Sequence, residues 1–438
     1  MTNIGSLTIV SPDRERSQVV AAYFEHARYH VTLAGNDDGA LGAMRGNPPD
    51  VVLVLQPANA PGWVETVVRA LRGAPETARV GVAVAMTDHE LARQKPGTPR
   101  VDDVLPGDMD ADAMVFRLQP LFRLATMERE IRLRAEGLGG PLPERAVSRG
   151  PARAFYFSLD PSATLPADFL DDEAVWESAN SIAEAEAIVT GPGMFDIIVI
   201  DVPLARLDEI ITFCRDMRDN PRLFNLPFLV RVPGAEPSMA RALYRVGVNR
   251  VIPRADDDVF LEAEARSLIA LQNRRSDVRE ALRRTLTDAT GHPREAVYTE
   301  GFLATYLDRR LGVAQARDRA LSVVHLHLPE AASLHDEAGP LACQILSEQL
   351  ARWLSRLIRV EDLAARLSDS DFIVVLPDTL PSEAQFVMNR IAGVLTFTDF
   401  AVPEVYRPVK IWPLVGVAGV EPGDQAASIL ARARANLS

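Results

Sequence analysis

The sequence predicts an α/β chain built from two successive doubly wound parallel sheets and a third domain of mixed α+β type. Short apolar runs alternate with amphipathic stretches through the first two thirds of the 438 residues, which is typical of buried parallel strands joined by helices. This alternation occurs twice, and the last third has a different order of strands and helices. The length also exceeds one ordinary core, so several domains are expected.

The first series of elements occupies residues 1–140. Helical spacing is found at Arg16–His26 and Gly62–Arg72, and again over Ala111–Leu138. The last of these stretches leads into a cluster of glycines and prolines, which is typical of a domain boundary. Strands are predicted at four apolar runs: Leu7–Val10, Val51–Leu55, Val80–Ala85 and Val101–Leu105.

The second series occupies residues 141–286 and repeats the first. Segment 195–201 lines up with segment 49–55, and segment 248–253 lines up with segment 100–106. This ordered match indicates a domain duplication, followed by a helical connector at about Asp257–Leu286. The strands are predicted at Ala154–Ser158, Ile197–Ile200, Phe228–Val232 and Val248–Ile252.

The third domain, residues 287–438, has the order β-α-β-β-α-β, which is typical of a ferredoxin-like α+β fold. The composition of Ser368–Asp371 predicts a hairpin turn between the two central strands. The helices are predicted at Pro340–Leu357 and Glu383–Leu395. The strands are predicted at Leu321–Leu328, Leu363–Leu367, Phe372–Leu376 and Val409–Val417.

Composition excludes several classes of protein. The formal net charge of −13 argues against non-specific nucleic-acid binding, which needs clustered Lys and Arg. Only Cys214 and Cys343 are present, far apart, so neither a disulfide framework nor a zinc site is expected. No signal peptide is recognisable, and no run approaches the roughly 18 apolar residues that span a bilayer. We expect a cytoplasmic protein with no membrane insertion.

The most specific segment contains Arg359-Val-Glu-Asp362 and, five residues later, Ser368-Asp-Ser-Asp-Phe372 with an apolar run. It resembles the catalytic domain of diguanylate cyclases, in which an inhibitory RxxD site precedes a GG(D/E)EF signature at this spacing. Arg390 falls where that family has a second inhibitory-site arginine. RxxD alone is a weak signal, but only this copy stands before such a hairpin. The whole chain resembles the PleD-like layout of two CheY-like receiver domains followed by a GGDEF palm domain.

The resemblance implies that Arg359, Asp362 and Arg390 bind cyclic di-GMP as a regulatory ligand, with no cofactor. The residue types suit this ligand. A guanidinium binds phosphate or the guanine O6/N7 edge through two hydrogen bonds and stacks on the base. A few charge-assisted bonds of about 1.5–3 kcal/mol each are enough for micromolar affinity, about 8 kcal/mol.

The synthetic site of this family, in contrast, is predicted to be degenerate. Synthesis requires divalent cations on carboxylates and a backbone that can approach the GTP phosphates closely. The signature positions carry added side chains and altered acids: Ser368, Asp369, Ser370 and Asp371. Three histidines replace the acidic strand positions and the nucleotide-contacting asparagine of the family: His325, His327 and His335.

His325 and His327 share one face of their predicted strand, so a transition-metal site is an alternative interpretation. Imidazole is a poor ligand for magnesium, and the sequence identifies no third ligand for another metal. We expect a structural or hydrogen-bonding role for both histidines, and no metal.

Receiver activity is also expected to be lost or incomplete. An active receiver carries acidic residues after its first strand, a phosphoacceptor Asp at the end of its third and a Lys after its fifth. In the first domain the acceptor position is Leu55. In the second domain Asp201 occupies it and is the candidate phosphoacceptor, with Asp160 as one neighbouring carboxylate and Arg254 near the Lys position. A silent, adaptor-like receiver is the favoured interpretation.

We therefore expect a cyclic di-GMP-binding adaptor without cyclase activity. Resemblance to non-catalytic members of the family implies localisation at the cell pole and a homodimer formed through receiver domains. It also implies delivery of a cell-cycle transcription regulator to the ClpXP protease through a small accessory protein. Two alternatives stay open: a divergent active diguanylate cyclase, and a response regulator switched by phosphorylation at Asp201.

Overall fold

The computed structural model describes residues 2–44, 46–57, 60, 62–86, 101–140, 150–160, 163–166, 168–220, 223, 225–234, 236–254, 258–291, 296–403 and 405–438. The chain divides into two compact units. One unit comprises Ser6–Ala125 and Ala146–Asp277, and contains two sheets. The other comprises Met1–Gly5, Thr126–Arg145 and Val278–Ser438, and contains the third sheet. Among the described helices, none combines the length and apolarity needed to cross a bilayer.

The first sheet has the strand order β2-β1-β3-β4-β5, which is the order of a flavodoxin-like doubly wound fold. Its strands are β1 Gly5–Val10, β2 Tyr29–Ala34, β3 Val51–Leu55, β4 Gly81–Met86 and β5 Asp103–Pro106. Its helices are α1 Arg14–His26, α2 Asp37–Met44, α3 Trp63–Gly73 and α4 Ala111–Leu138. The sequence missed β2 and α2, because His30 and Thr32 interrupt the apolar residues of β2 and α2 is short with two glycines.

The second sheet repeats this order as β7-β6-β8-β9-β10, with every neighbouring pair parallel. Its strands are β6 Ala152–Ser158, β7 Ala174–Ala179, β8 Ile197–Asp201, β9 Phe228–Val232 and β10 Arg250–Pro253. Its helices are α5 Ile182–Thr190, α6 Leu207–Asp219, α7 Pro237–Arg245 and α8 Asp258–Thr290. The repeated order confirms the predicted fold class of the first two thirds.

The third sheet has the order β11-β13-β14-β12-β15, with β12 antiparallel to both β14 and β15. Its strands are β11 Tyr298–Thr299, β12 Leu321–His327, β13 Leu363–Arg366, β14 Asp371–Pro377 and β15 Leu414–Gly419. Its helices are α9 Glu300–Ala316, α10 Glu330–Ala338, α11 Pro340–Leu357, α12 Pro381–Thr396 and α13 Ala426–Ala435. The predicted ferredoxin-like order is therefore confirmed, with flanking helices added.

Helices cover both faces of this third sheet. Apolar side chains of α10, α11 and α12 share one core with the side chains of Val324, Phe372 and Val374. Side chains of α9 and α13 pack with those of Val323 and Ile373, which alternate with the first set along their strands. The loop between β13 and β14 therefore emerges at an end of a two-sided, well-packed sheet.

The predicted final strand, Val409–Val417, is wrong in its first half. Val409 forms only an isolated bridge with Phe400, and β15 begins at Leu414. Pro408 and Pro413 explain the difference, because proline has no main-chain N–H to donate to a ladder. The domain limits at residues 140 and 286 stay predictions, and α8 continues to Thr290.

Candidate functional site

The RxxD segment forms a turn that connects the end of α11 to the start of β13. The Asp362 carboxylate accepts a hydrogen bond from the main-chain N–H of Arg359 at 2.8 Å, and the Asp362 N–H donates to the Arg359 carbonyl at 3.1 Å. Asp362 is buried, whereas Arg359 is exposed. The aspartate therefore closes the turn and leaves the guanidinium of Arg359 facing solvent.

A buried arginine that the sequence reasoning missed supports this turn. Arg134, on α4, donates to the main-chain carbonyls of Glu361 at 2.6 Å and Asp362 at 3.1 Å. Its guanidinium also lies 5.5 Å from the ring centroid of Tyr298. Burial alone would lower the pKa of Arg134, but the nearby tyrosines and Glu130 outweigh this effect and raise it. Arg134 is therefore a permanent cation beneath the turn.

Arg390 lies on the solvent-facing side of α12, opposite the apolar residues that α12 buries. Helices α11 and α12 contact each other and pack on the same face of the sheet. Arg359 follows the end of α11, so both arginines belong to one layer of the domain. Within the described part of the chain, the guanidiniums of Arg359 and Arg390 make no hydrogen bond or ion pair.

The signature hairpin, by comparison, is closed by its own side chains. Strands β13 and β14 pair antiparallel, and the N–H of Leu367 donates to the Asp371 carbonyl at 2.9 Å. The Ser368 and Ser370 hydroxyls donate to the Asp371 carboxylate at 2.8 and 2.6 Å. The predicted turn is present, and its two serines are bound to the aspartate that ends it.

The Asp371 carboxylate also joins the two strand histidines. His325 Nε2 and His327 Nδ1 lie 2.8 and 2.9 Å from the same oxygen, Asp371 Oδ1. Burial raises the pKa of Asp371, but the hydrogen bonds from two hydroxyls and two imidazoles outweigh it and hold this pKa well below its usual range. Two imidazoles on an already saturated carboxylate do not suit magnesium, which prefers oxygen ligands. No metal-binding group of three acidic, His or Cys side chains is found within the described residues.

A cavity of about 350 Å³ lies beside the hairpin. It is lined by His327, Leu328, Pro329, Ala331, Ala332, His335, Cys343, Ser368, Asp369 and Ser370. The volume is at the small end of ligand pockets. The lining contains no Lys or Arg and includes the carboxylate of Asp369, so it is poorly suited to a polyphosphate.

Asp201, at the end of β8, is fully buried and neutralised by arginines. Arg254 Nε donates to one carboxylate oxygen at 3.1 Å, and Arg231 Nη1 donates to the other at 3.0 Å. The Tyr156 hydroxyl donates to the second oxygen at 2.8 Å, and Arg254 also binds Asp160 at 2.6 Å. Both oxygens of the candidate phosphoacceptor are therefore engaged and shielded from solvent. In the first sheet, the equivalent Leu55 is a buried core residue.

The palm fold with its signature hairpin places the last third of the chain in a known class: residues 296–438 match the family model described as diguanylate cyclase, GGDEF domain. The chain therefore contains a GGDEF domain. Over 433 aligned residues it is 23% identical to the response regulator PleD of Caulobacter vibrioides, covering 92% of this chain and 90% of PleD. The chain is thus similar to a two-receiver GGDEF response regulator, and its chemistry is the metabolism or binding of cyclic di-GMP.

Solved structures with the same domain are also similar. The GGDEF domain of FimX from Pseudomonas aeruginosa is 22% identical, with a TM-score of 0.31, and the match covers 33% of this chain and 88% of that chain. The GGDEF domain of DgcB from Caulobacter crescentus, in complex with c-di-GMP, is 18% identical, with a TM-score of 0.30, and covers 32% and 80%.

Proposed function

We propose that this protein is a cyclic di-GMP-binding effector that works as an adaptor and has no diguanylate cyclase activity. One observation carries the proposal: the two sites of the GGDEF domain differ in what their charged groups already bind. Within the described residues, the guanidiniums of Arg359 and Arg390 are exposed and unpaired. The Asp371 carboxylate, in contrast, holds four side-chain hydrogen bonds.

The RxxD turn suits a dianionic, guanine-bearing ligand. Arg359 is held by its main chain while its side chain stays available, so little conformational freedom of the backbone is lost on binding. A guanidinium can pair with a phosphate and stack on a guanine, and two such cations match the two phosphates of cyclic di-GMP. Asp362 fixes the turn in addition to any contact that it makes with the ligand.

Loss of synthesis is supported at the signature hairpin. Phosphoryl transfer depends on metal ions and cations that neutralise the developing charge. Here the strand positions are His325 and His327, and the residues lining the neighbouring cavity include Asp369 and no Lys or Arg. A triphosphate would meet a negative side chain and no guanidinium or ammonium group. The protein would then bind cyclic di-GMP without synthesising it.

The adaptor role is supported by resemblance. A broken signature combined with an intact RxxD site resembles PopA, a non-catalytic relative of PleD. By that resemblance, the protein acts at the cell pole as a receiver-mediated homodimer. It delivers a cell-cycle transcription regulator to ClpXP through a small accessory protein. Binding of cyclic di-GMP to the GGDEF domain would control the adaptor. The GGDEF domain of DgcB has been solved in complex with c-di-GMP.

Two measurements on the full chain test the proposal. Calorimetric titration with cyclic di-GMP should give a dissociation constant in the micromolar range or below, about −8 kcal/mol or stronger. Incubation with GTP and magnesium, followed by chromatography, should yield no cyclic di-GMP. Product formation, or no binding heat at micromolar ligand, would overturn the proposal.

A further inference from the structure

The two receiver-like domains carry a pair of buried charges at matching positions with opposite signs. Strand β5 begins with Asp103 and strand β10 begins with Arg250, at the first position of Asp-Val-Leu-Pro and Arg-Val-Ile-Pro. In each domain a second charge follows 14 residues later: Arg117 on α4 and Glu264 on α8. The first domain therefore has an acid on the strand and a base on the helix, and the second domain has the reverse.

These four side chains form one buried network within their compact unit. Arg250 Nη2 donates to Asp103 Oδ1 at 2.7 Å, and Arg117 Nη2 lies 3.4 Å from Glu264 Oε2. Arg117 also binds Asp103 at 3.0 Å, and Arg250 Nε is paired with Glu264. All four side chains are at most 5% exposed. The charges are therefore matched inside a region that water does not reach.

The contacts join equivalent positions of the two domains. Strand residue 103 meets strand residue 250, and helix residue 117 meets helix residue 264. Such pairing of equivalents is the arrangement of a two-fold, isologous interface. Two identical domains on this axis would place Asp103 against a second Asp103 and Arg117 against a second Arg117. Buried like charges of this kind are strongly unfavourable.

We infer that this reversal of charge is the specificity determinant that pairs the first receiver-like domain with the second, and that it closes this face to pairing between identical domains. A homodimer of the whole chain must then use another surface, or must exchange first and second domains between copies. The inference concerns the receiver pair and does not rest on ligand binding at Arg359.

Three further ion pairs join the two domains around this network. Arg241 pairs with Asp110, and Arg245 Nη2 lies 3.4 Å from Asp112. On another side, Arg274 Nη1 lies 3.0 Å from Asp102. In all three pairs the first domain supplies the acid and the second supplies the base. The two exposed pairs, Arg241–Asp110 and Arg245–Asp112, contribute little stability singly, but they favour one partner over another.

Hydrogen–deuterium exchange of the full chain tests the inference with two variants. The double variant Arg250→Asp/Glu264→Arg gives the second domain the pattern of the first, so like charges face each other. The fourfold variant adds Asp103→Arg and Arg117→Glu, which restores opposite signs with the roles exchanged. The control reverses an exposed ion pair of the second domain, Arg206→Glu/Glu209→Arg, which lies outside the network.

The double variant should exchange the amides of β5 and β10 at least about tenfold faster than the wild type, because like charges then face each other across the buried contact. Strands β6 and β8 should stay protected. The fourfold variant should return to within about threefold of the wild type, and the control should be unchanged. Unaltered exchange in the double variant would overturn the inference. So would a fourfold variant that exchanges as fast as the double variant, whether at β5 and β10 or throughout the sheets.

Discussion

The guanidinium of Arg134 donates to the main-chain carbonyl of Asp362 at 3.1 Å, although the two residues are 228 positions apart in the chain. The RxxD turn is therefore supported by a cation that belongs to helix α4. Both residues belong to one compact unit, and the arginine is only 2% exposed. Affinity for the ligand should then depend on a residue that has no contact with it.

The substitution Arg134→Gln tests this dependence. We expect it to lower the free energy of unfolding by about 2–4 kcal/mol, because it removes charged hydrogen bonds from buried carbonyls. Cyclic di-GMP affinity should fall several-fold, as Arg359 loses its fixed main chain. Urea denaturation and calorimetry measure the two effects. Arg132→Gln, an exposed change on the same helix, is the control. Equal affinity in both variants would contradict the supporting role.

The substitutions Arg359→Ala and Arg390→Ala should each weaken cyclic di-GMP binding by about tenfold or more, the loss of one charge-assisted contact. Stability should barely change, because both side chains are exposed. Arg352→Ala on α11 serves as the matched control, since it removes an exposed arginine that pairs with Glu348. Calorimetric titration with cyclic di-GMP measures the dissociation constant of each variant. Unchanged affinity in both variants would place the ligand elsewhere.

Stability should depend on pH through Asp371. Burial opposes ionisation of this carboxylate, but its hydrogen bonds win and lower its pKa in the folded chain. The stabilisation is therefore fully present above the unfolded pKa of about 3.9 and is lost as the pH falls toward the folded value. Denaturation at a series of pH values should show a smaller acid-induced loss in Asp371→Asn than in the wild type. The control is Asp369→Asn, which changes the exposed residue between Ser368 and Ser370. This variant should lose as much stability in acid as the wild type.

Acetyl phosphate should not label the second receiver-like domain. Asp201 is fully buried, and two arginines and a tyrosine bind its oxygens. Mass spectrometry should find the same level of modification in the wild type and in Asp201→Ala. A phosphoryl group on residue 201 would instead support the response-regulator alternative.

Removing one of these arginines tests their structural role. Arg254→Ala leaves the carboxylates of Asp160 and Asp201 without this cation, and Asp201 is buried. The expected loss is about 3–5 kcal/mol of unfolding free energy, typical of breaking a buried ion pair. Arg266→Ala, which breaks exposed pairs on α8, should cost less than about 1 kcal/mol. Comparable losses in the two denaturation curves would contradict the argument.

Much of the fold could be predicted from the sequence, because apolar runs and helical spacing are patterns within short segments of the chain. Apolar runs identified the central strands, and the predicted helices at Ala111–Leu138 and Pro340–Leu357 have the observed bounds. The predicted strand Val409–Val417 was too long, because Pro408 and Pro413 lack the main-chain N–H that pairs strands. The edge strand β2 was missed because His30 and Thr32 interrupt its apolar residues, and the other strands had been recognised as continuous apolar runs.

The surroundings of the candidate sites were harder to predict, because they depend on pairing between distant segments. Arg134 lies between Leu133 and Ala135 in a buried part of its helix. A charged residue between apolar neighbours could have indicated a buried arginine with polar partners. The partner of the two histidines follows from the register of β12 on β14, since this antiparallel pairing of strands distant in the chain places Asp371 opposite His327. Arg231 and Tyr156, which bind Asp201, gave no local sign.

The reversed charges of the two receiver-like domains also restrict how this sequence can drift. A change of sign at residue 103 alone, or at 250 alone, leaves an unmatched buried ion, so neutral evolution should exchange these positions only together. In relatives of this chain, residues 103 and 250 are then expected to vary as a correlated couple, as are 117 and 264. On this inference, neither receiver-like domain could take the place of the other, because a second copy of the same domain would bring like charges together at these positions.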